Sequence, residues 1–357
     1  IQSTQLIRGV SIVNVVRIVI TGGAGYIGTI ITEVLLERQY KVTCIDNFYF
    51  GLDPVRSFLN NPNYSTVKKD IRKLVPSDLD GFKYVVDLAG LSNDPACDLE
   101  PTLTKTVNHM GSVNVSRCAR EAGVQKYILA SSCSVYGAGA NIVMTEVSPL
   151  RPVSLYAEAK IAAEHDIEGL GCDDYSVTFL RFATVFGLSP RMRFDLVVNI
   201  MTLNAVMQRV INVHGDGRQW RPLVHVRDVA DSVLKVIEAP KSLINKQAFN
   251  VGSTEQNYRV AEIAKSITRH IPDCKTILCP PATDIPDKRS YKVAFEKATQ
   301  VLGYRTNYSI DYGIEEVLSW ITKSRIDFSD PKFYTVEYYK RIFSESSRTL
   351  NDSSNDP

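Results

Sequence analysis

A tyrosine and a lysine four residues apart, Tyr156 and Lys160, are the side chains in this sequence best suited to proton transfer. On a helix, residues four apart share one face, so the phenol and the ammonium would project together. A nearby ammonium favours the phenolate and so lowers the pKa of the phenol toward neutrality. Such a phenolate can remove a proton from an alcohol while hydride leaves the same carbon. The pair predicts redox chemistry on an alcohol, although two surface residues on a helix explain most matches to so short a pattern.

A glycine-rich turn lies upstream of this pair, with Gly22, Gly25 and Gly28 at intervals of three. It follows a strand-like run and opens a helix-like one, the context in which such a turn binds a dinucleotide. Gly22 permits the tight turn, Gly25 lets the backbone approach a pyrophosphate, and Gly28 lets helix and strand pack closely. The first helical amides, at Tyr26 and Ile27, would then face the phosphates. A purely structural turn is the alternative.

An acidic residue, Asp46, ends the second strand-like run and is followed by Asn47. A carboxylate at that position accepts hydrogen bonds from the adenosine ribose and repels a 2′-phosphate, so we expect NAD rather than NADP as the cofactor. A turn-forming Asp-Asn pair is the alternative. Four further residues at strand ends are predicted to contact the cofactor: Asp70, Ile71, Leu88 and Ala89.

Apolar, β-branched runs alternate with helix-like stretches through the first half of the chain. This alternation predicts an α/β fold with a doubly wound parallel sheet of the Rossmann type. After Arg181, prolines punctuate shorter elements, as in a smaller α+β lobe that binds substrate. The predicted organisation is a poorly ordered extension at 1–15, an NAD-binding domain at 16–185 with returns at about 223–251, an interleaved substrate lobe at 186–222 and 252–342, and a disordered tail at 343–357.

Composition excludes several classes of protein. Among 357 residues, 41 are Lys or Arg and 39 are Asp or Glu, with no basic block that would favour nucleic acid. The seven cysteines include no Cys-x-x-Cys pair, so neither a disulfide framework nor a metal site is expected, and a cytoplasmic location is preferred. No apolar run reaches the roughly 18 residues of a membrane helix.

Several short motifs together resemble those of the extended short-chain dehydrogenase/reductases. They are the segments 21–28, 46–47, 132–137 and 156–160. Three more, at 180–187, 215–217 and 221–229, narrow the resemblance to the branch of nucleotide-sugar epimerases and dehydratases. The matching segments run from about residue 16 to 320. Each motif is modest alone, but the set is specific for the family.

The resemblance implies oxidation of a sugar carbon, usually C4, by tightly held NAD, followed by a second step on the keto-sugar. By position, Ser132 matches the catalytic Ser/Thr of the family, Tyr156 the base, and Lys160 the residue that lowers its pKa and binds the nicotinamide ribose. Asn108 matches a residue beside the cofactor and Phe182 one that flanks the nicotinamide.

A nucleotide-diphosphate sugar is the substrate that the resemblance implies. Arg221 matches an arginine on its diphosphate, and a guanidinium suits that role because it pairs with phosphate through two hydrogen bonds. Arg289 resembles a second ligand of the nucleotide end; a structural surface arginine is the alternative for both. Residues 104–121 and 156–168 match helices that pair in relatives, which implies a homodimer. The remaining substrate candidates are Ser92, Ser134, Thr184 and Arg193.

One departure from the family pattern bears on the reaction. Dehydratases of this branch carry an Asp-Glu pair, and decarboxylases a Glu, where this chain has Cys133 and Ser134. Elimination of water needs an acid and a base, and neither residue is a normal carboxyl donor. The sequence therefore favours a 4-epimerase, with a 4,6-dehydratase or 4-keto reductase as the alternative. A non-catalytic homologue would be expected to lose Tyr156 or Lys160. Thr184, where some 4-epimerases have Asn, leaves sugar recognition open.

Overall fold

A computed structural model describes the backbone of residues 15–280 and 289–352, and their side chains except at 139–141 and 345–352. The strands are β1 (Arg17–Thr21), β2 (Lys41–Asp46), β3 (Tyr64–Lys68), β4 (Tyr84–Asp87), β5 (Lys126–Ser132), β6 (Ala138–Met144), β7 (Ser176–Phe182), β8 (Thr184–Phe186), β9 (Val210–His214), β10 (Trp220–His225), β11 (Gln247–Val251), β12 (Asn257–Arg259), β13 (Lys275–Cys279) and β14 (Ser290–Val293).

The α-helices are α1 (Tyr26–Glu37), α2 (Asp94–Leu99), α3 (Pro101–Thr104), α4 (Ser112–Glu121), α5 (Leu155–Glu168), α6 (Val197–Gln208), α7 (Val226–Glu238), α8 (Lys241–Ile244), α9 (Val260–His270), α10 (Glu296–Leu302), α11 (Ile310–Lys323) and α12 (Thr335–Asp352). A π-helical stretch, Lys105–Gly111, joins α3 to α4. Short 3₁₀ turns lie at Asp53–Phe58, Ile71–Lys73, Pro76–Leu79, Cys133–Tyr136, Thr254–Gln256 and Pro331–Phe333.

Within the described residues, seven strands form one parallel sheet in the order β11-β7-β5-β4-β1-β2-β3. The chain moves outward from β1 through β2 to β3, then returns to β4 on the other side of β1. Ligands bind at such a reversal of strand order, outside the carboxyl ends of the strands. The predicted doubly wound Rossmann sheet is confirmed.

Helices cover both faces of this sheet, so its strands are apolar on both sides. Ile18 and Ile20 of β1 belong to a core that includes residues of α1 and α7, whereas Val19 belongs to a core with residues of α4 and α5. A strand buried on both faces reads as a continuous apolar run rather than an alternating one. That pattern is the physical basis of the fold prediction.

The region 223–251 returns to the main domain only in part. Helix α7 packs against α1, and β11 extends the main sheet beside β7. The segment of β10 predicted to return instead pairs with β8 and β12 in a separate small sheet. An apolar run identifies a buried strand but not the sheet that it joins. Strand β8 likewise belongs to the small sheet.

Helix α12 extends past residue 343, where the disordered tail was predicted to begin, as far as Asp352. Tyr339 and Phe343 lie one helical turn apart, and their rings stack with centroids separated by 5.5 Å. These aromatic side chains give the helix an apolar face, which packs against the main domain near Leu91. The polar composition after residue 344 concealed the helix. Residues 353–357, like the extension at 1–14, lie outside the described residues.

Candidate active site

A cleft opens where the carboxyl ends of the parallel strands meet the helix that carries the tyrosine/lysine pair. Most of the predicted cofactor residues line it, and these are Gly22, Gly25, Tyr26, Ile27, Gly28, Asp46, Asn47, Asp70, Ile71, Leu88, Ala89, Tyr156, Lys160 and Phe182. The substrate candidates Ser92 and Arg193 also line it. The loop after β1 and the middle of α5, far apart in sequence, therefore share one cavity.

The glycine turn has the geometry that close approach of a ligand requires. Gly22 has φ of +67°, and a Cβ there would lie 2.8 Å from the Cα of Ala89. A Cβ at Gly28 would lie 2.7 Å from the Cα of Gly23, so helix α1 could not pack against the turn. Gly25 caps α1 without a side-chain hydrogen bond. The first amides of α1 are thus left to face the cleft, where an anion would be stabilised.

Asp46 serves both as the end of β2 and as a turn residue. Its carboxylate accepts hydrogen bonds from the backbone amides of Ala24, at 3.1 Å, and Phe48, at 2.7 Å. Burial raises the pKa of Asp46, and these amides oppose that shift. The first bond ties β2 to the glycine turn. A carboxylate held in this way retains lone pairs for a ligand at the cleft wall.

Two other predicted cofactor residues are engaged by the protein itself. Asp70 pairs with Arg72, whose Nη2 lies 2.6 Å from the carboxylate, and that hydrogen bonding lowers the pKa of Asp70. Asn108 is fully buried, and its amide both donates to and accepts from the backbone of Leu91, at 2.8 Å each. Asn108 therefore positions the segment after β4, and Leu91 in that segment lines the cleft.

Helix α5 carries the tyrosine/lysine pair on the face toward the sheet. Ser154 caps the helix by accepting a hydrogen bond from the amide of Ala157 at 3.3 Å. Lys160 donates to the carbonyl oxygen of Ala130, at 2.7 Å, and its ammonium lies 5.9 Å from the ring centroid of Tyr156. The structure thus brings the phenol, the ammonium and the end of β5 together.

The electrostatics of Tyr156 differ from the sequence expectation. Burial raises the pKa of its phenol, and the charges of Cys97 and Asp94 add to that increase. Arg193 and a hydrogen bond with Ser132 act in the opposite direction. Burial likewise lowers the pKa of Lys160. The expected lowering of the phenol pKa is therefore not found, because removing a phenolate from water costs more than Arg193 and the hydrogen bond with Ser132 return.

The residues at the end of β5 and directly after it have different environments. Ser132 is half-buried and its hydroxyl accepts a hydrogen bond from the amide of Ser134 at 3.1 Å. Cys133 is fully buried, and its thiol donates to the carbonyl oxygen of Arg181. Burial raises the pKa of this thiol. Cys133 is therefore a packed core residue. The hydroxyl of Ser134 is buried and has no hydrogen-bond partner among the described residues.

Four of the predicted substrate residues form two groups: Arg193 with Ser92, and Arg221 with Arg289. Arg193 binds Asp195 through two nitrogens, at 2.7 and 3.1 Å, and donates to the hydroxyl of Ser92 at 3.0 Å. Arg221 donates to the carbonyl oxygens of Trp220 and Arg289. Thr184, at the start of β8, is half-buried beside Leu223 of β10.

Asp94 connects the second group to the tyrosine helix. Its carboxylate pairs with the guanidinium of Arg289 and accepts a hydrogen bond from Ser154, at 2.5 Å. Because Ser154 caps α5 two residues before Tyr156, the two arginines of the substrate lobe are linked to the start of the catalytic helix. Sequence reasoning did not single out Asp94, whose type and spacing match no motif considered.

Arg191, in the loop between β8 and α6, also belongs to the site. It lines the cleft and its guanidinium stacks 3.7 Å from the ring centroid of Phe50. Its Nε and Nη1 atoms are buried with no hydrogen-bond partner among the described residues, and burial lowers its pKa. A buried cation with unsatisfied donors is costly unless an anion binds it. Tyr339 of α12 also lines the cleft and was not anticipated at all.

Both ring nitrogens of His225 have partners within the protein. Its Nδ1 accepts a hydrogen bond from the amide of Arg227, and its Nε2 lies 3.1 Å from the carboxylate of Glu316. Among residues 15–280 and 289–352, no three His, Cys, Asp or Glu side chains gather as metal ligands would. No helix in those ranges is long and apolar enough to cross a bilayer.

These features fit a dinucleotide: a glycine turn that leaves no room for Cβ atoms, a helix start without a side-chain cap, and a buried guanidinium with two nitrogens that have no acceptor among the described residues. Fold and cleft define a Rossmann-type dinucleotide-dependent protein with a tyrosine/lysine pair. The chain belongs to the NAD-dependent epimerase/dehydratase family, whose model matches residues 18–252. The predicted family and the predicted cofactor, NAD, are thereby confirmed.

Comparisons with individual proteins leave the reaction class open. UDP-glucuronic acid decarboxylase 4 of Arabidopsis thaliana is 27% identical over 311 residues, which cover 84% of this chain and 67% of that protein. The NAD-dependent NDP-hexosamine 5,6-dehydratase TunA superposes with a TM-score of 0.76 at 25% identity, covering 88% of this chain and 99% of that one. UDP-glucose 4-epimerase of Thermotoga maritima gives 0.76 at 26% identity, covering 86% and 99%. These three proteins carry the names of three different reactions.

Replacing Arg191 by methionine tests the fit of the cleft to a diphosphate. We expect Arg191→Met to weaken NAD binding by about 10- to 100-fold, because hydrogen bonds to charged groups contribute about 1.5–3 kcal/mol. We expect the melting temperature of the NAD-free protein to stay the same or rise, since a buried cation with unsatisfied donors is removed. Isothermal titration calorimetry and differential scanning fluorimetry measure the two effects.

The matched control is Arg325→Met, at an exposed arginine outside the cleft, which should change neither quantity. An NAD dissociation constant for Arg191→Met within threefold of the wild-type value would contradict the assignment.

Proposed function

We propose that this chain is an NAD-dependent nucleotide-sugar epimerase that oxidises its sugar at C4 and returns hydride to the opposite face. The observation that carries the proposal is the environment of the residues after Ser132. Cys133 is buried against a backbone carbonyl, and Ser134 offers only a hydroxyl. No carboxyl group therefore follows Ser132 at the positions where an eliminating enzyme of this family would use one.

In this proposal, the described residues move one proton. Tyr156 takes the proton of the C4 hydroxyl and later returns one to the keto oxygen, with Ser132 holding that oxygen through its hydroxyl. Lys160, fixed by the carbonyl of Ala130, keeps a positive charge beside the phenol. Bound NAD supplies the hydride acceptor and a positively charged ring, which favours the phenolate.

The substrate in this proposal is a nucleoside diphosphate sugar. Arg221 and Arg289 supply the cationic end for the diphosphate, and Ser92, Thr184 and Arg193 lie on the sugar side. Arg289 already pairs with Asp94. A diphosphate would therefore compete with that carboxylate, and exchange of partners by Arg289 is compatible with release of product.

A dehydratase is the second candidate, and Asp94 is the observation that favours it. The charge of Asp94 reaches the phenol of Tyr156, so a carboxylate does lie in the neighbourhood, contributed by α2 rather than by the segment after Ser132. Two contacts count against its use as an acid or base: the ion pair with Arg289 and the hydrogen bond from Ser154. Both hold the carboxylate in place.

We also propose that the chain forms a homodimer through α5 and the π-helical stretch before α4. Met110 is 60% exposed there, and Ile161 of α5 is half-buried. His109 contacts Asp166 at 2.7 Å, which holds the two segments side by side.

Replacing Tyr156 by phenylalanine should lower the turnover rate by about a hundred- to ten-thousand-fold, the usual effect of losing a general acid or base. The bound NAD content and the melting temperature should stay unchanged, because the ring is retained. A coupled assay for the product gives the rate. Retention of more than a tenth of the wild-type rate would show that another group transfers the proton.

The reaction type is tested by incubating the protein with UDP-, dTDP-, GDP- and CDP-hexoses and with UDP-glucuronic acid, followed by NMR and mass spectrometry. A C4-inverted sugar of unchanged mass supports the epimerase. A 4-keto product lighter by one water, or a pentose formed with release of carbon dioxide, overturns it. Asp94→Asn separates the candidates further: it should abolish elimination in a dehydratase that uses Asp94, and leave an epimerase above a tenth of its rate.

The dimer is tested by light scattering at micromolar concentration. Wild-type protein should have the mass of two chains, and Met110→Asp should shift it toward one, because a charge would enter the apolar contact. A wild-type monomer under these conditions would contradict the proposal.

A further inference from the structure

The C-terminal helix α12 forms part of the wall of the NAD cleft. Its Tyr339 lines the cleft and is only 5% exposed, although it lies more than 300 residues from any glycine of the turn. Tyr339 packs in one apolar cluster with Leu91 and Cys97, and the ring of Tyr156 contacts the same cluster. A helix beyond the matched family segment therefore reaches the residues proposed to do the chemistry.

Polar contacts fasten the start of α12 to the loop that carries Arg191. The hydroxyl of Thr335 accepts a hydrogen bond from Arg191, at 3.0 Å, and donates to Asp195, at 3.4 Å. Just before the helix, the carbonyl oxygen of Phe333 accepts from the amide of Phe194 at 2.8 Å. Thr335 is 1% exposed, so these bonds lie inside the protein.

Aromatic contacts fasten the same helix to the loop after Asp46. The rings of Phe50 and Tyr338 stack with centroids 4.9 Å apart, and Phe50 also lies 5.7 Å from Tyr339. Tyr49 meets Tyr339 edge-on at 6.2 Å. Helix α12 is thus attached on the adenosine side of the cleft as well as on the catalytic side.

The charges around Tyr339 place its phenol among the groups expected to bind the dinucleotide. Burial raises the pKa of Tyr339 to about 12, the positive charges of Arg191 and Arg193 oppose this increase, and Asp46 adds to it. The phenol therefore remains protonated at neutral pH and can donate a hydrogen bond to an anionic or carbonyl acceptor.

We propose that α12 is a component of the cofactor site, and that Tyr339 contacts bound NAD and slows its release. The proposal rests on the NAD dependence of the family and not on the reaction type. An enzyme that oxidises and then reduces the same molecule must keep its reduced cofactor between the two steps. A helix attached at both ends of the cleft supplies such retention, because NAD can leave only when those contacts open or the cofactor threads past them.

The experiment measures release of a fluorescent NAD analogue, 1,N⁶-etheno-NAD, in the absence of any sugar nucleotide. Protein loaded with the analogue is mixed with excess NAD in a stopped-flow instrument, and the fluorescence change gives the dissociation rate. The variants are Tyr339→Ala, Thr335→Val and a chain that ends at Tyr334. We expect each to release the analogue at least fivefold faster than the full-length chain, with the truncated chain the fastest.

Lys340→Ala is the matched control, because Lys340 is the next residue of α12 and pairs with Glu337 on its exposed side. Its release rate should lie within twofold of the wild-type rate. Should the truncated chain fail to fold, as judged by circular dichroism, the two point variants decide. Acceleration of less than fivefold in Tyr339→Ala would overturn the proposal. Slower release would also overturn it, since Tyr339 would then compete with NAD for the cleft. Neither outcome bears on whether the enzyme is an epimerase.

Discussion

The buried attachment of α5 to the carboxyl ends of β5 and β7 is the interaction on which the site depends. Tyr156, Lys160 and Glu164 follow one another at intervals of four, so they share the face of α5 that meets the sheet. Glu164 forms a buried pair with Arg181 of β7, with the closest N···O distance 2.6 Å, and accepts a hydrogen bond from Ser131.

Isolated burial of such charges would destabilise the fold, but here Arg181 donates from Nε to Oε1 and from Nη2 to Oε2 of Glu164, so the pair is bidentate. Arg181 also donates to Tyr136, which in turn donates to Asn250 of β11. Elements from four parts of the chain are therefore locked in one polar network one turn below Lys160. The network fixes the position of Tyr156 relative to the end of β5. This position is set by the fold and does not depend on which substrate binds.

The sequence predicted those parts of the site that depend on local backbone geometry. The glycine turn, Asp46 after β2, and the shared face of Tyr156 and Lys160 each follow from spacing within a few residues, because turn conformation and helical period are local properties. Arg191, Tyr339 and Asp94 could not be found in this way, since each acquires its role from a residue distant in the chain. The same limit explains β10: its apolar character predicted burial, but its partners β8 and β12 were decided by packing.

In α12, the interval of four between Tyr339 and Phe343 was a usable signal that the polar composition beyond residue 344 obscured.

The reaction type illustrates how such long-range placement bears on function. The segment directly after Ser132 carries no carboxylate. Asp94, in α2, nevertheless brings a carboxylate near Tyr156. What separates the candidates is the state of that carboxylate. An acid that expels a hydroxyl must be free to reach it, whereas the carboxylate of Asp94 accepts a hydrogen bond from Ser154 and pairs with the guanidinium of Arg289. Because Ser154 caps the catalytic helix, the same carboxylate has a sufficient role in positioning Tyr156. On this ground we propose an enzyme that moves one proton and one hydride at a single carbon, which is the chemistry of an epimerase.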